Sequence, residues 1–95
     1  MISRTLVKHA LSSEAEIPDM LVQGWVRTRR DSKAFSFLEI NDGSSVASLQ
    51  VVADEGIPGY ERIAEMTTGA AVSVRGALVA GQGKHRWELR ASSLE

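Results

Sequence analysis

Phe35-Ser36-Phe37-Leu38-Glu39-Ile40-Asn41 alternates residue by residue and runs straight into Asp42-Gly43. Successive strand side chains point to opposite faces, so Ser36, Leu38 and Ile40 share one face and Phe35, Phe37, Glu39 and Asn41 the other. Leu38 and Ile40 suit a core. Asp-Gly is a strong hairpin-turn signal, and Val46 to Ala53 follows it as a partner strand, with Leu49 and Val51 inward and Ser48, Gln50 and Val52 outward. Upstream, Leu21 to Arg29 reads as another strand, bent at Gly24, with a turn at Asp31-Ser32-Lys33. Downstream, Pro58 opens a segment, Gly59 to Thr68, in which Tyr60, Ile63, Ala64 and Thr67 recur at helical spacing. Gly69 fits a C-cap. Ala70 to Ala80 is a fourth strand, with Val72, Val74, Gly76 and Leu78 on one face and a bend at Gly76. Gly81-Gln82-Gly83 is a loop, and Arg86 to Leu94 is a fifth strand with Trp87 and Leu89 inward.

The order β-β-β-α-β-β, with glycines inside the first and fourth strands, predicts an all-β protein: a five-stranded Greek-key OB-fold barrel with one short helix between strands 3 and 4. A five-stranded SH3-like barrel is the alternative, but it does not usually carry a helix there. The barrel occupies residues 20–95, and residues 1–19 form an N-terminal arm or short helix. At 95 residues there is room for one domain and one core. The chain is 43% hydrophobic and 24% charged, the balance of a soluble globular domain. It has no cysteine, which excludes disulfide scaffolds and zinc ribbons and suits the reducing cytoplasm. No apolar run is long enough to span a membrane, and the N-terminus lacks the apolar stretch of a secretory signal.

Net charge is only −1, so nucleic-acid binding would have to rest on local clustering. Arg27, Arg29, Arg30 and Lys33 face a single nearby acid, Asp31, and a second basic group comprises Lys84, His85, Arg86 and Arg90 around Glu88. Phe35, Phe37, Glu39 and Gln50 fall on the outer face beside the first group. Aromatic rings in a cationic groove suit single-stranded nucleic acid, because rings stack on bases while arginines neutralise phosphate or read base edges. A strand register off by one would instead bury the two rings in the core. His9 and His85 do not make a convincing metal site. No Gly-x-Ser-x-Gly elbow occurs, and Gly81-Gln82-Gly83 lacks the Gly-Lys-Ser/Thr of a P-loop. No complete active site is legible.

Val22-Gln23-Gly24-Trp25-Val26-Arg27-Thr28-Arg29-Arg30-Asp31-Ser32-Lys33 resembles the N-terminal anticodon-binding domain of class IIb aminoacyl-tRNA synthetases. Phe37-Leu38-Glu39, Asn41-Asp42-Gly43-Ser44, Leu49-Gln50-Val51-Val52, Thr67-Thr68-Gly69 and Gly81-Gln82-Gly83 are similar to the bacterial asparaginyl group within that family. The resemblance covers residues 20–95 and implies an OB-fold that grips the anticodon loop of tRNA(Asn). It implies an excised piece of a longer enzyme, a cytoplasmic and homodimeric ligase of asparagine to tRNA, whose catalytic domain uses ATP and Mg. The piece itself would be inactive and hold no cofactor or metal; its own state, monomer or dimer, is left open. By the same resemblance Arg30, Phe37 and Gln50 address the central anticodon uridine, and Glu88 the first anticodon base. Two departures from the aspartyl pattern stand out. Val52 replaces an aromatic, and the loop from Ala80 to His85 lacks the aspartyl asparagines, which makes it the expected place for third-base discrimination. The expected RNA contacts are Arg27, Arg29, Arg30, Lys33, Phe35, Phe37, Gln50, Lys84, Arg86 and Glu88.

Arg30 presents a parity conflict. Strict alternation places it with Val26 and Thr28 rather than with Arg27 and Arg29; a bulge after Gly24, or a strand ending at Arg29, would bring it outward. Two readings of another class remain: a free-standing OB-fold that coats single-stranded nucleic acid without sequence preference, and a structural module whose outer aromatics support dimer contacts.

Overall fold

The computed structural model describes residues 4–81 and 86–95. Among these, five strands close into a barrel: β1 (Ile17–Asp31), β2 (Phe35–Asn41), β3 (Leu49–Asp54), β4 (Ala71–Ala80) and β5 (Trp87–Leu94). They are joined in the order β1-β2-β3-β5-β4, and β4 pairs back onto β1. Among the five strands only the β3–β5 pairing is parallel, and Arg4 adds an isolated parallel bridge to Leu21 of β1. A 3-10 helix (Tyr60–Glu65) lies between β3 and β4. This is the expected Greek-key OB-fold barrel. Its core is the inward half of each alternation: Val22, Val26, Leu38, Ile40, Leu49, Val51, Val74, Leu78 and Leu89 are completely buried.

β1 is longer at both ends than Leu21 to Arg29, because it serves two neighbours. Its first half pairs with β4 from Ile17 to Trp25, and its second half pairs with β2 from Trp25 to Asp31. Pro18 falls where the β1–β4 register slips between Ile17 and Met20, a place where a missing N–H is tolerated. Gly24 sits at the change of partner. A Cβ there would collide with the Asn41 carbonyl of β2, so the crossing requires glycine.

Four local expectations need correction. Asp42-Gly43 does not close a two-residue hairpin; it opens the connection 42–48, and β3 begins at Leu49 rather than Val46, which is fully exposed. Asn41 is buried rather than outward. Its amide donates to the Ser45 and Ala47 carbonyls and to Ser48 Oγ, and its Oδ1 accepts from the Gly43 N–H. The predicted helix over Gly59 to Thr68 is a single 3-10 segment, a geometry in which residues three apart eclipse, so Tyr60 and Ile63 both pack on the core. Gly69 does not cap that helix, which ends at Glu65; its N–H donates to the Val26 carbonyl at 2.7 Å.

The N-terminal arm contains a short helix, α1 (Val7–Leu11), whose Val7 and Ala10 are fully buried in the barrel's own core. Its N-cap residue, Leu6, has no side-chain acceptor to offer. The β2–β3 connection supplies them instead: the Val7 N–H donates to Asp42 Oδ2 at 2.9 Å, and the Lys8 N–H to Ser44 Oγ at 3.0 Å. Partial burial alone would raise the Asp42 pKa, but hydrogen bonds from Ser44 and the Val7 N–H outweigh it and hold the carboxyl below 3.8.

Candidate nucleic-acid interface

The parity conflict at Arg30 is resolved by a bulge in β1. Val26 pairs with Ile40 but Thr28 pairs with Glu39, so Arg27 is the extra residue and all alternation beyond it inverts. Thr28 and Arg30 therefore join the outer face, while Arg29, opposite the inward Leu38, turns toward the barrel end.

Two rows of side chains then cross the outer face of β1, β2, β3 and β5. Strand pairing sets Arg30 beside Phe37, Phe37 beside Val52, and Val52 beside Arg90. The neighbouring row runs Thr28, Glu39, Gln50, Glu88. In the first row the Arg30 guanidinium lies 4.8 Å from the Phe37 ring centroid, a cation–π contact. Phe35 meets Phe37 edge to face, with centroids 5.3 Å apart and planes at 89°. In the second row Thr28 Oγ1 donates to Glu39 Oε1 at 3.1 Å, and Gln50 Nε2 to Glu88 Oε2 at 3.4 Å. Glu88 is 6% exposed, with the Arg90 guanidinium 3.9 Å from its other oxygen. Beside the first row is an open cleft of about 650 Å³ whose lining includes Phe35, Phe37, Ile57 and Arg90 together with the acidic Asp54 and Glu88. Its mixed aromatic, cationic and acidic lining can both stack on and hydrogen-bond to a polar-edged ring such as a base.

Phe35, Phe37, Arg30, Gln50 and Glu88 are thus brought together. Arg27, at the bulge, and Lys33, in the β1–β2 turn, are exposed along the edge of this group. Arg86 is exposed at the entry to β5, its guanidinium 5.9 Å from the Trp87 ring centroid, and the Trp87 indole N–H donates to the Ser13 carbonyl at 3.0 Å. Lys84 lies outside the described residues, as do Gln82, Gly83 and His85 of the expected loop. Arg29 stands apart from the rows. Its guanidinium donates to the Ile63 carbonyl at 2.6 Å and approaches Asp31 at 3.5 Å, tying β1 to the 3-10 helix.

Arg90 was not among the expected contacts, although it follows Glu88 by two residues on β5 and so shares its face. Ile57, which lines the cleft from the β3-to-helix connection, carried no such signal. The opposite outer surface, on β1 and β4, is already satisfied. Arg75 makes a two-point ion pair with Asp19 at 3.0 and 2.7 Å, and the Arg75 guanidinium holds the Asp19 carboxyl below 3.8. Gln23 donates to Ser73 beside it. Among the described residues no group of acidic and histidine side chains is arranged to hold a metal ion. Nor is any helix among them long and apolar enough to cross a membrane.

A closed five-stranded barrel with a basic, aromatic outer face defines an OB-fold of the nucleic-acid-binding kind. The chain belongs to the tRNA anti-codon family of OB-fold nucleic acid binding domains, whose model matches residues 20–95. Over 94 residues it is 51% identical to the asparagine–tRNA ligase of Nitratidesulfovibrio vulgaris strain DP4, covering 98% of this chain and 20% of that protein. It is 44% identical over 97 residues to the asparagine–tRNA ligase of Nostoc sp. strain PCC 7120, covering 100% and 21%. It therefore spans about a fifth of the length of these relatives. In structure it is similar to the asparaginyl-tRNA synthetase of Pyrococcus horikoshii complexed with asparaginyl-adenylate, with a TM-score of 0.83 at 22% identity, over 100% of this chain and 22% of that one. The resemblance drawn from Val22 to Lys33 and the later matches is borne out.

Proposed function

We propose that this chain is the anticodon-binding module of an asparagine–tRNA ligase and takes the anticodon loop of tRNA(Asn). The observation that carries this reading is the pair of rows on the outer face, where an arginine-backed aromatic lies beside an amide and a carboxylate. A base stacks on the Phe37–Arg30 surface, the sequence-tolerant part of binding. Gln50 and Glu88 address base edges, the part that specifies. On the resemblance, the stacked base is the central uridine and Glu88 meets the first anticodon base. Arg27, Lys33 and Arg86 lie outside the rows at exposed positions and follow the phosphates. The parent ligase joins asparagine to tRNA with ATP and Mg in a separate catalytic domain, as a cytoplasmic homodimer. Those steps lie outside what the residues of this chain perform.

The test is a titration of the chain with the anticodon stem-loop of tRNA(Asn), the same stem-loop with its central uridine changed, and oligothymidine. The reading expects the unaltered stem-loop to bind most tightly. Equal binding of all three would replace it with a free-standing single-strand coat protein.

A further inference from the structure

We infer that Glu88 is a positioning residue for Gln50, fixing which end of its amide faces the RNA and so selecting bases that carry a ring N–H. This rests on the proposal that the outer face binds RNA. Gln50 and Glu88 are direct neighbours across the β3–β5 pairing, although 38 positions apart in the chain. Glu88 is 6% exposed and carries a carboxylate, which when ionised only accepts. A carboxylate so nearly withdrawn from water needs donors. Among the described residues Gln50 Nε2 donates to it at 3.4 Å, and the Arg90 guanidinium forms a looser ion pair with it at 3.9 Å. The opposite amide orientation would set the Gln50 carbonyl oxygen against that carboxylate, with two acceptors facing and no proton between them.

With Nε2 engaged, Gln50 presents Oε1 to a ligand on the outer face. An acceptor there pairs with uracil N3–H or guanine N1–H. It opposes cytosine N3 and adenine N1, which are themselves acceptors. A freely turning glutamine would satisfy either kind by rotating its amide, and would discriminate poorly. The preference at the central base thus originates in the carboxylate beside the amide, which reaches that base only through Gln50.

The test measures the preference of the chain for uridine over cytidine at the central base of the anticodon stem-loop. The variants are Gln50→Ala, Glu88→Met and the double variant, with folding checked by circular dichroism. Gln50→Ala is expected to lower the preference about tenfold, the worth of one hydrogen bond to a base edge. Glu88→Met should lower it nearly as far with Gln50 still present, and the double variant no further, because the two residues act as one unit. An undiminished preference in Glu88→Met, or losses that multiply in the double variant, would overturn the inference and leave the RNA-binding proposal standing. A wild-type chain that binds uridine and cytidine stem-loops equally would overturn the inference alone, and one that binds neither stem-loop would overturn both. If Glu88→Met fails to fold, Glu88→Gln serves, because a second amide no longer dictates the orientation of the first. In that variant a partial loss of preference supports the inference, and an unchanged preference overturns it.

Discussion

Adjacent strand residues face opposite ways, and because Arg27 is left out of the ladder between β1 and β2 it is Arg30, not Arg29, that reaches the outer face. Arg30 lies over an aromatic ring, and Arg29 is bonded to the backbone of the 3-10 helix. Arg29→Ala is therefore expected to cost stability, by about 1–3 kcal/mol for a hydrogen bond from a charged donor, while RNA affinity of the folded protein stays near that of the parent. Arg30→Ala should do the reverse. Urea unfolding set beside RNA titration checks both, and equal losses of affinity would return Arg29 to the interface. Phe37 is half-buried on the outer face, so Phe37→Ala should weaken stem-loop binding by about 1–3 kcal/mol, the usual worth of a base–aromatic stack, with little change in melting temperature. Unfolding of that variant under conditions where the parent is stable would make the ring a core residue.

At the scale of elements, the strands were legible to the extent that their alternation was local. β2 runs from Phe35 to Asn41 as its pattern implies, because Leu38 and Ile40 at its centre alternate with Phe37 and Glu39. The β1 bulge was not legible. Arg27 is chemically like its neighbours, and the skipped position exists only relative to β2. The same holds for Glu88: its place on β5 was readable, but its contact with Gln50 depends on a parallel pairing of distant segments. Residues 1–19 were readable only as an arm or short helix, because the groups that satisfy α1 are Asp42 and Ser44, at a separation of about thirty-five residues. That long-range cap makes a pH prediction. The folded-state pKa of Asp42 lies below its ordinary value, so the stabilisation is complete above pH 3.8 and is lost as pH falls through the lower folded-state pKa. Asp42→Asn should cost about 1 kcal/mol near neutrality. The gap between variant and parent should close on acidification, as followed by urea midpoints from pH 6 downward. A gap independent of pH would deny the carboxylate its role.

For the whole molecule, a net charge of −1 is reconciled with RNA binding by sorting. Arg75 on the β1–β4 face is neutralised by Asp19, whereas Arg27, Lys33 and Arg86 stand exposed around the face of β1, β2, β3 and β5. Replacing Arg27 or Lys33 by alanine should weaken all stem-loops alike and flatten the dependence of log affinity on log salt by up to about 1 per lost phosphate contact. Gln50→Ala should leave that slope nearly unchanged, because an amide releases no counterion. Titrations at several salt concentrations separate the two, and an unchanged slope in both basic variants would move the phosphate path toward Arg86. The claim beneath all of this is that one face of the barrel receives the RNA. Its most direct test is nuclear magnetic resonance of the labelled chain during titration with the anticodon stem-loop of tRNA(Asn). The account predicts the largest shifts at Arg30, Phe37, Gln50, Val52, Glu88 and Arg90, with Asp19, Gln23, Ser73 and Arg75 unmoved. Shifts concentrated on the β1–β4 face, with the two rows silent, would contradict it.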